Sequence, residues 1–157
     1  MRVVRVQTDD FDLSTEVARL RAGNPRVGAV VSFVGAVRDL NDGVDVAEMA
    51  LEHYPGMTEA ALERIVAQAC ARWPLAGAVV IHRVGPLPPT AQIVLVAVSA
   101  AHRGEAFAAC EFIIDYLKTD APFWKKEQTP DGARWVDARS SDDTAMAKWG
   151  AADAGVL

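Results

Sequence analysis

Between Ile93 and Glu127 the chain changes its periodicity twice, and no other stretch limits the fold as much. Ile93 to Val98 is apolar without a break, the pattern of a strand covered on both faces. From Gly104 to about Thr119 the period becomes helical: Phe107, Cys110, Ile114 and Leu117 form one apolar line, with Ala106 and Ile113 beside it. Glu111, Asp115 and Lys118 form a polar stripe at i, i+4 and i+7. Pro122 stops the helix, and Lys125 and Lys126 follow at once. The run therefore delivers His102 and Arg103 from a strand end, Lys118 from a helix end, and two lysines from the segment beyond. At ~1.5 Å per residue, a straight helix keeps Arg103 and Lys118 more than ~20 Å apart. The two ends of the run cannot easily meet within one chain. Either a second subunit supplies the missing half of a site, or the ends serve different purposes.

The remaining chain reads as short strands and helices. Met1–Gln7 is a strand; Asp9, Asp10 and Asp12 crowd a helix start that runs to about Ala22, with Val17 and Leu20 inward. Gly23-Asn24-Pro25 closes it. Gly28–Arg38 is a buried strand in which Gly35 suggests a bulge. The turn Asp39–Gly43 then predicts a hairpin with Val44–His53, leaving Arg38 where strand meets loop. Thr58 is positioned to cap a helix to about Arg72, with Leu62, Ile65, Val66, Ala69 and Trp73 inward. Gly77–Val84 is a strand, Gly85–Pro89 a stiff connection and Gln92–Ala100 another strand. After Pro122 come strands near Phe123–Gln128 and Ala133–Ala138, with a turn at Thr129–Gly132. A last short helix is expected over Asp142–Trp149. The order β-α-β-β-α-β-β-α-β-β favours an α+β fold, a mostly antiparallel sheet with packed helices, over a parallel α/β one. One domain is expected over 1–149, with a frayed tail at 150–157.

Composition narrows the function. A net charge of −5 disfavours a general nucleic-acid surface. An acidic protein that concentrates cations in one run is better suited to a small anion. His102-Arg103 precedes a helix start, where backbone N–H groups favour anions and arginine adds bidentate phosphate recognition. Lys118 in a last helical turn also suits the helix dipole, and Lys125 with Lys126 also suits a solvated pair. If their segment is a strand, those two alternate faces and only one can enter a given pocket. His53 and His82 read as packing or surface residues, and Cys70 and Cys110 as inert thiols within apolar helix faces. With no CxxC and no acidic cluster, no metal or cofactor is implied. No apolar run approaches the ~20 residues of a membrane span, and a reducing, cytoplasmic setting is expected.

Several long motifs, GAVVSFVGAVRD, LEHYPGMTEAAL, HRVGPL, VSAAHRGEAFAACEFIIDYLKTDAPFWKKE and WVDAR, together resemble the MoaE family, the catalytic large subunits of molybdopterin synthase. The resemblance runs from about Gly28 to Arg139. It implies an α/β hammerhead fold. It also implies conversion of cyclic pyranopterin monophosphate (precursor Z) into molybdopterin, the sulfur arriving as a thiocarboxylate on a small ubiquitin-like partner. The implied assembly is a homodimer with one small subunit at each end, a heterotetramer. By motif, Lys118 and Lys125 are the implied catalytic residues. Arg38, His102, Arg103, Lys126 and Glu127 would bind substrate beside them, with backbone contacts from Ala36 and Val37; Arg139 is a weaker member. His102 and Arg103 would come from the neighbouring subunit. The alternative is a non-catalytic scaffold of the same fold that only binds the partner. One departure stands out: where the family commonly has a glycine and an acidic residue before the Gln92 strand, this chain has Pro88-Pro89-Thr90-Ala91.

Overall fold

The computed structural model describes residues 1–41, 44–45, 47–136, 143–147 and 149–150. Its main sheet has the order β1-β6-β8-β2, made of β1 (Arg2–Gln7), β6 (Leu75–Arg83), β8 (Gln92–Ala100) and β2 (Ala29–Ala36). The unbroken apolar run of β8 has the expected cause. Val94, Val96 and Val98 face one core with Ala78 and Val80 of β6, while Leu95 and Ala97 face another with Val79 and Ile81. The first core is closed by α2 (Met57–Arg72) through Leu62, Ile65 and Val66, and by α3 (Arg103–Asp120) through Phe112, Ile113 and Leu117. The second is closed by Phe11 and by Leu20 of α1 (Leu13–Arg21). A period-2 strand buried on both faces needs apolar residues at every position, which is what the sequence supplies.

A second sheet has the order β10-β9-β5-β7 and holds β5 (Glu48–His53), β7 (Gly85–Leu87), β9 (Phe123–Thr129) and β10 (Gly132–Val136). It packs Met49, Leu51 and Leu87 with Val37 and Val84. Among the described residues β1–β6 is the parallel pair and the other pairings are antiparallel, an α+β fold as expected.

Several local expectations fail for identifiable reasons. The hairpin between Gly28–Arg38 and Val44–His53 does not form: β2 pairs with β8, and β5 pairs with β7 and β9 in the other sheet. Adjacency in sequence is outweighed by where the apolar side chains find partners, Met49 and Leu51 beside Leu87 rather than beside β2. Among the described residues between them, a two-residue ladder pairs β3 (Leu40–Asn41) with β4 (Val44–Asp45). The expected Gly85–Pro89 connection contributes β7. In α1 the inward residues are Glu16 and Leu20, not Val17; Glu16 is held by Arg5 at 2.8 Å and Arg19 at 3.3 Å. Phe107 is exposed rather than part of α3's apolar line. Thr58 is not a cap. Gly56 takes that position, and the buried Thr58 hydroxyl accepts from the Tyr54 N–H and donates to the Pro122 carbonyl, both at 2.9 Å. It thus ties the start of α2 to the end of α3. The bulge expected at Gly35 is present between Gly35 and Ala36, and a Cβ at Gly35 would lie 2.8 Å from Val94 Cγ1. Of the predicted terminal helix, residues 143–147 and 149–150 are helical; the end of the WVDAR motif, with Arg139, and tail residues 151–157 lie outside the described residues.

The departure at Pro88–Ala91 has a conformational counterpart. Thr90 has φ of 75°, a left-handed backbone that a β-branched side chain rarely adopts. The turn is pinned to the residue before Arg38: Thr90 N–H donates to the Val37 carbonyl at 2.8 Å and Val37 N–H to the Ala91 carbonyl at 2.9 Å. Thr90→Gly is expected to raise stability by about 1 kcal/mol, strain relief exceeding the added chain entropy. Urea unfolding checks this, and a lowered midpoint would show that the turn carries no strain.

Candidate active site

The register of the main sheet decides which site residues can meet. Ala29 of β2 lies opposite Ala100 of β8, and Ala36 opposite Gln92. Arg38, two residues beyond β2 and exposed, is therefore at the Gln92 end. His102 and Arg103 follow Ala100 at the other end, also exposed, with His102 as the N-cap of α3. Helix α3 then runs back along the sheet for 18 residues and returns Lys118, in its last turn, to the Gln92 end. Its charge reaches His82, which sits opposite Val94 at that same end. So the structure brings Arg38 and Lys118 to one end of the sheet and leaves His102 and Arg103 at the other.

Strand β9 adds the remaining residues. Phe123 stacks on His82 with ring centroids 3.7 Å apart and an interplanar angle of 19°. Side chains then alternate: Phe123, Lys125 and Glu127 point inward, while Trp124, Lys126 and Gln128 are exposed. Lys125 Nζ lies 3.8 Å from Glu127 Oε1, and Arg134 Nη2 lies 3.1 Å from Glu127 Oε2. Lys126 instead sits 5.6 Å over the Trp135 ring on the opposite face. The two adjacent lysines thus part company, as strand geometry requires. Ala36 is exposed at the end of β2. Val37 is buried with its N–H already committed to Ala91, so its visible part is to fix where Arg38 emerges.

Of the packing and surface roles that the sequence leaves open for His82, the structure selects packing, since the ring is buried. What the sequence did not reveal is its place between β6, Phe123 and Lys118. Its Nδ1–H donates to the Arg83 carbonyl at 2.8 Å. Burial pushes its pKa down to about 3, against the Arg83 hydrogen bond, with Lys118 and His53 adding smaller repulsion. The ring is neutral at ordinary pH, so it places no further cation beside Lys118. The sequence signal was a histidine that, with Arg83, ends an otherwise apolar strand. Cys110 is the opposite case: burial, then Glu111, pushes its thiol up to about 12, which makes it a poor nucleophile.

Fold and site together define an α+β domain with Arg38, Lys118 and Lys125 carried to one end of its main sheet, a scaffold suited to an anionic substrate. Comparison with known proteins is more specific. The MoaE protein family model matches residues 6–120, and the chain belongs to that family. It is 67% identical over 150 residues to the molybdopterin synthase catalytic subunit of Ralstonia nicotianae, covering 96% of this chain and 85% of that one. Its structure resembles the molybdopterin biosynthesis MoaE protein from Burkholderia ambifaria with a TM-score of 0.82 at 64% identity, covering 96% of this chain and 99% of the other. The complex of subunits 1 and 2 of molybdopterin-converting factor from Helicobacter pylori shares the fold, with a TM-score of 0.67 at 20% identity and coverage of 88% and 92%.

Proposed function

We propose that this chain is the catalytic subunit of a molybdopterin synthase, a sulfurtransferase that converts precursor Z into molybdopterin with sulfur from a thiocarboxylated small subunit. The observation that carries the reading is that Arg38, Lys118 and Lys125, matched by motif, are delivered to one end of the sheet by three separate elements. Arg38 suits the substrate's cyclic phosphate. Opening that phosphate and adding sulfur at adjacent carbons needs proton transfers, for which Lys118 would serve as general acid/base or as a holder of an intermediate. Lys125 would stabilise developing charge and the carboxylate that the partner's tail becomes. The partner brings the sulfur, so the inert Cys110 is no obstacle.

His102 and Arg103 enter this site from a second copy. Their position at the far end of α3 supports that reading, since the helix that separates them from Lys118 is intact. Phe33 on edge strand β2 and Phe107 on α3 are exposed apolar side chains that a second copy would cover. The two-subunit Helicobacter pylori complex of the same fold supports a second-subunit partner, and two copies of each chain would make the heterotetramer. The free thiols Cys70 and Cys110 support a cytoplasmic setting. A non-catalytic scaffold would have no use for Lys118 and Lys125 at the same end of the fold.

The test is reconstitution. The purified chain, mixed with precursor Z and a thiocarboxylated small subunit, is expected to form molybdopterin in amounts set by the thiocarboxylate supplied. Binding of the small subunit without product would overturn the catalytic reading and favour the scaffold.

A further inference from the structure

Between Lys118 and Lys125 the chain passes from helix to strand, and the joint is held at three successive residues. Helix α3 ends at Asp120 with Ala121 as its C-cap, and β9 begins at Phe123. Phe123 N–H donates back to the Ala121 carbonyl at 2.9 Å, a three-residue turn centred on Pro122, whose ring presets the φ that such a turn needs. The Phe123 ring is seated on His82 of β6. The Pro122 carbonyl accepts from the Thr58 hydroxyl of α2 at 2.9 Å. Thr58 is itself fully buried. A hydroxyl has one proton to give, and this one goes to Pro122 while the oxygen accepts the Tyr54 N–H at 2.9 Å. Thr58 N–H also donates to the Tyr54 carbonyl at 2.9 Å. The hydroxyl is thus anchored beside the end of β5, the strand that pairs with β9, and reaches across to the joint.

We infer that Thr58 is a positioning residue for the reaction: through the Pro122 carbonyl it sets the angle at which β9 leaves α3, and with it the placement of Lys125 relative to Lys118. Lys118 stands four residues before Pro122 and Lys125 three after it, so a small rotation at the joint moves one lysine against the other. The inference rests on the reading of Lys118 and Lys125 as active-site residues. Without the hydroxyl, the Pro122 carbonyl and the Tyr54 N–H each lose a partner in the interior, and the joint shifts to find others.

Thr58→Val keeps the branched shape and removes the hydroxyl, while Thr58→Ser keeps the hydroxyl and removes the methyl. Both are assayed in the reconstituted reaction well below their unfolding midpoints. Thr58→Val is expected to lose about tenfold in kcat with KM for precursor Z little changed, because a misplaced lysine costs rate more than binding. Thr58→Ser should hold near wild-type kcat even though its missing methyl lowers stability. A merely structural role does not separate turnover from stability in this way. Thr58→Ala sets no methyl against the Pro122 carbonyl, covers the event that the valine variant folds poorly, and should lose turnover as that variant does. An activity-independent readout is backbone hydrogen exchange followed by mass spectrometry. The peptide spanning 120–126 should exchange faster in Thr58→Val and Thr58→Ala and at the wild-type rate in Thr58→Ser, with β8 protected in all. Wild-type kcat in the folded valine and alanine variants, unchanged exchange over 120–126, or a serine variant as slow as the other two would overturn the inference. Full turnover by both Lys118→Ala and Lys125→Ala would overturn instead the active-site reading, while the exchange would still report whether Thr58 fixes the joint.

Discussion

Lys118→Ala is expected to abolish molybdopterin formation while leaving the fold in place. The two effects separate because Lys118 is exposed in the last turn of α3, where a cation favours the helix C-terminus. That is worth about 0.3–1 kcal/mol, a small part of a domain's stability. Loss of a positioned acid/base group costs about 10²–10⁴ in rate, and loss of a covalent role costs more. Product quantification beside a urea unfolding curve measures both. Near-normal product would sink the assignment of Lys118. The same variant also tests the shared site. Coexpressed with Arg103→Ala in the proposed homodimer, it would form mixed dimers in which one shared site has both defects and the other has neither. If Arg103 acts across a two-fold interface, about a quarter of wild-type activity returns, since half the dimers are mixed and half their sites intact. If Arg103 serves its own chain, every site carries a defect and nothing returns.

That test grew from a feature fully legible in the sequence. The length of the helix between Arg103 and Lys118 follows from its period and from Pro122, and the 18-residue α3 agrees. The alternation of Lys125 and Lys126 was equally legible, because it needs only that the segment be a strand. What could not be read were pairings decided by distant partners. Nothing local says that Val44–His53 should leave its neighbour for β7 and β9, or that Arg134 should stand across from Glu127. Thr58 shows the same limit on a smaller scale. Its local context suggests a cap, yet its hydroxyl answers to Pro122, 64 residues away. Motif resemblance supplied the identities of the site residues, while register supplied which of them share an end of the sheet.

Acid should destabilise this protein through His82, and the sign follows from burial. The ring's pKa falls from an ordinary 6.5 to about 3 in the folded chain. Above pH 6.5 neither folded nor unfolded chain protonates it, and its contribution is fully present. As pH drops below 6.5 the unfolded chain takes up a proton that the folded chain refuses, so stability falls by about 1.4 kcal/mol per pH unit. The loss continues until the folded ring titrates near pH 3, for a total of about 5 kcal/mol. His82→Phe keeps a flat ring against Phe123, gives up the hydrogen bond to Arg83, and removes the titration. It is expected to be less stable than wild type at pH 7.5, yet to close that gap by several kcal/mol at pH 4. Urea midpoints and slopes for both proteins across that range measure the difference, in which the carboxylates common to both cancel. Parallel curves would mean that His82 is not held neutral by burial. Converging curves would place a proton-refusing ring under the start of β9, so that the strand carrying Lys125 is seated most firmly where His82 is uncharged.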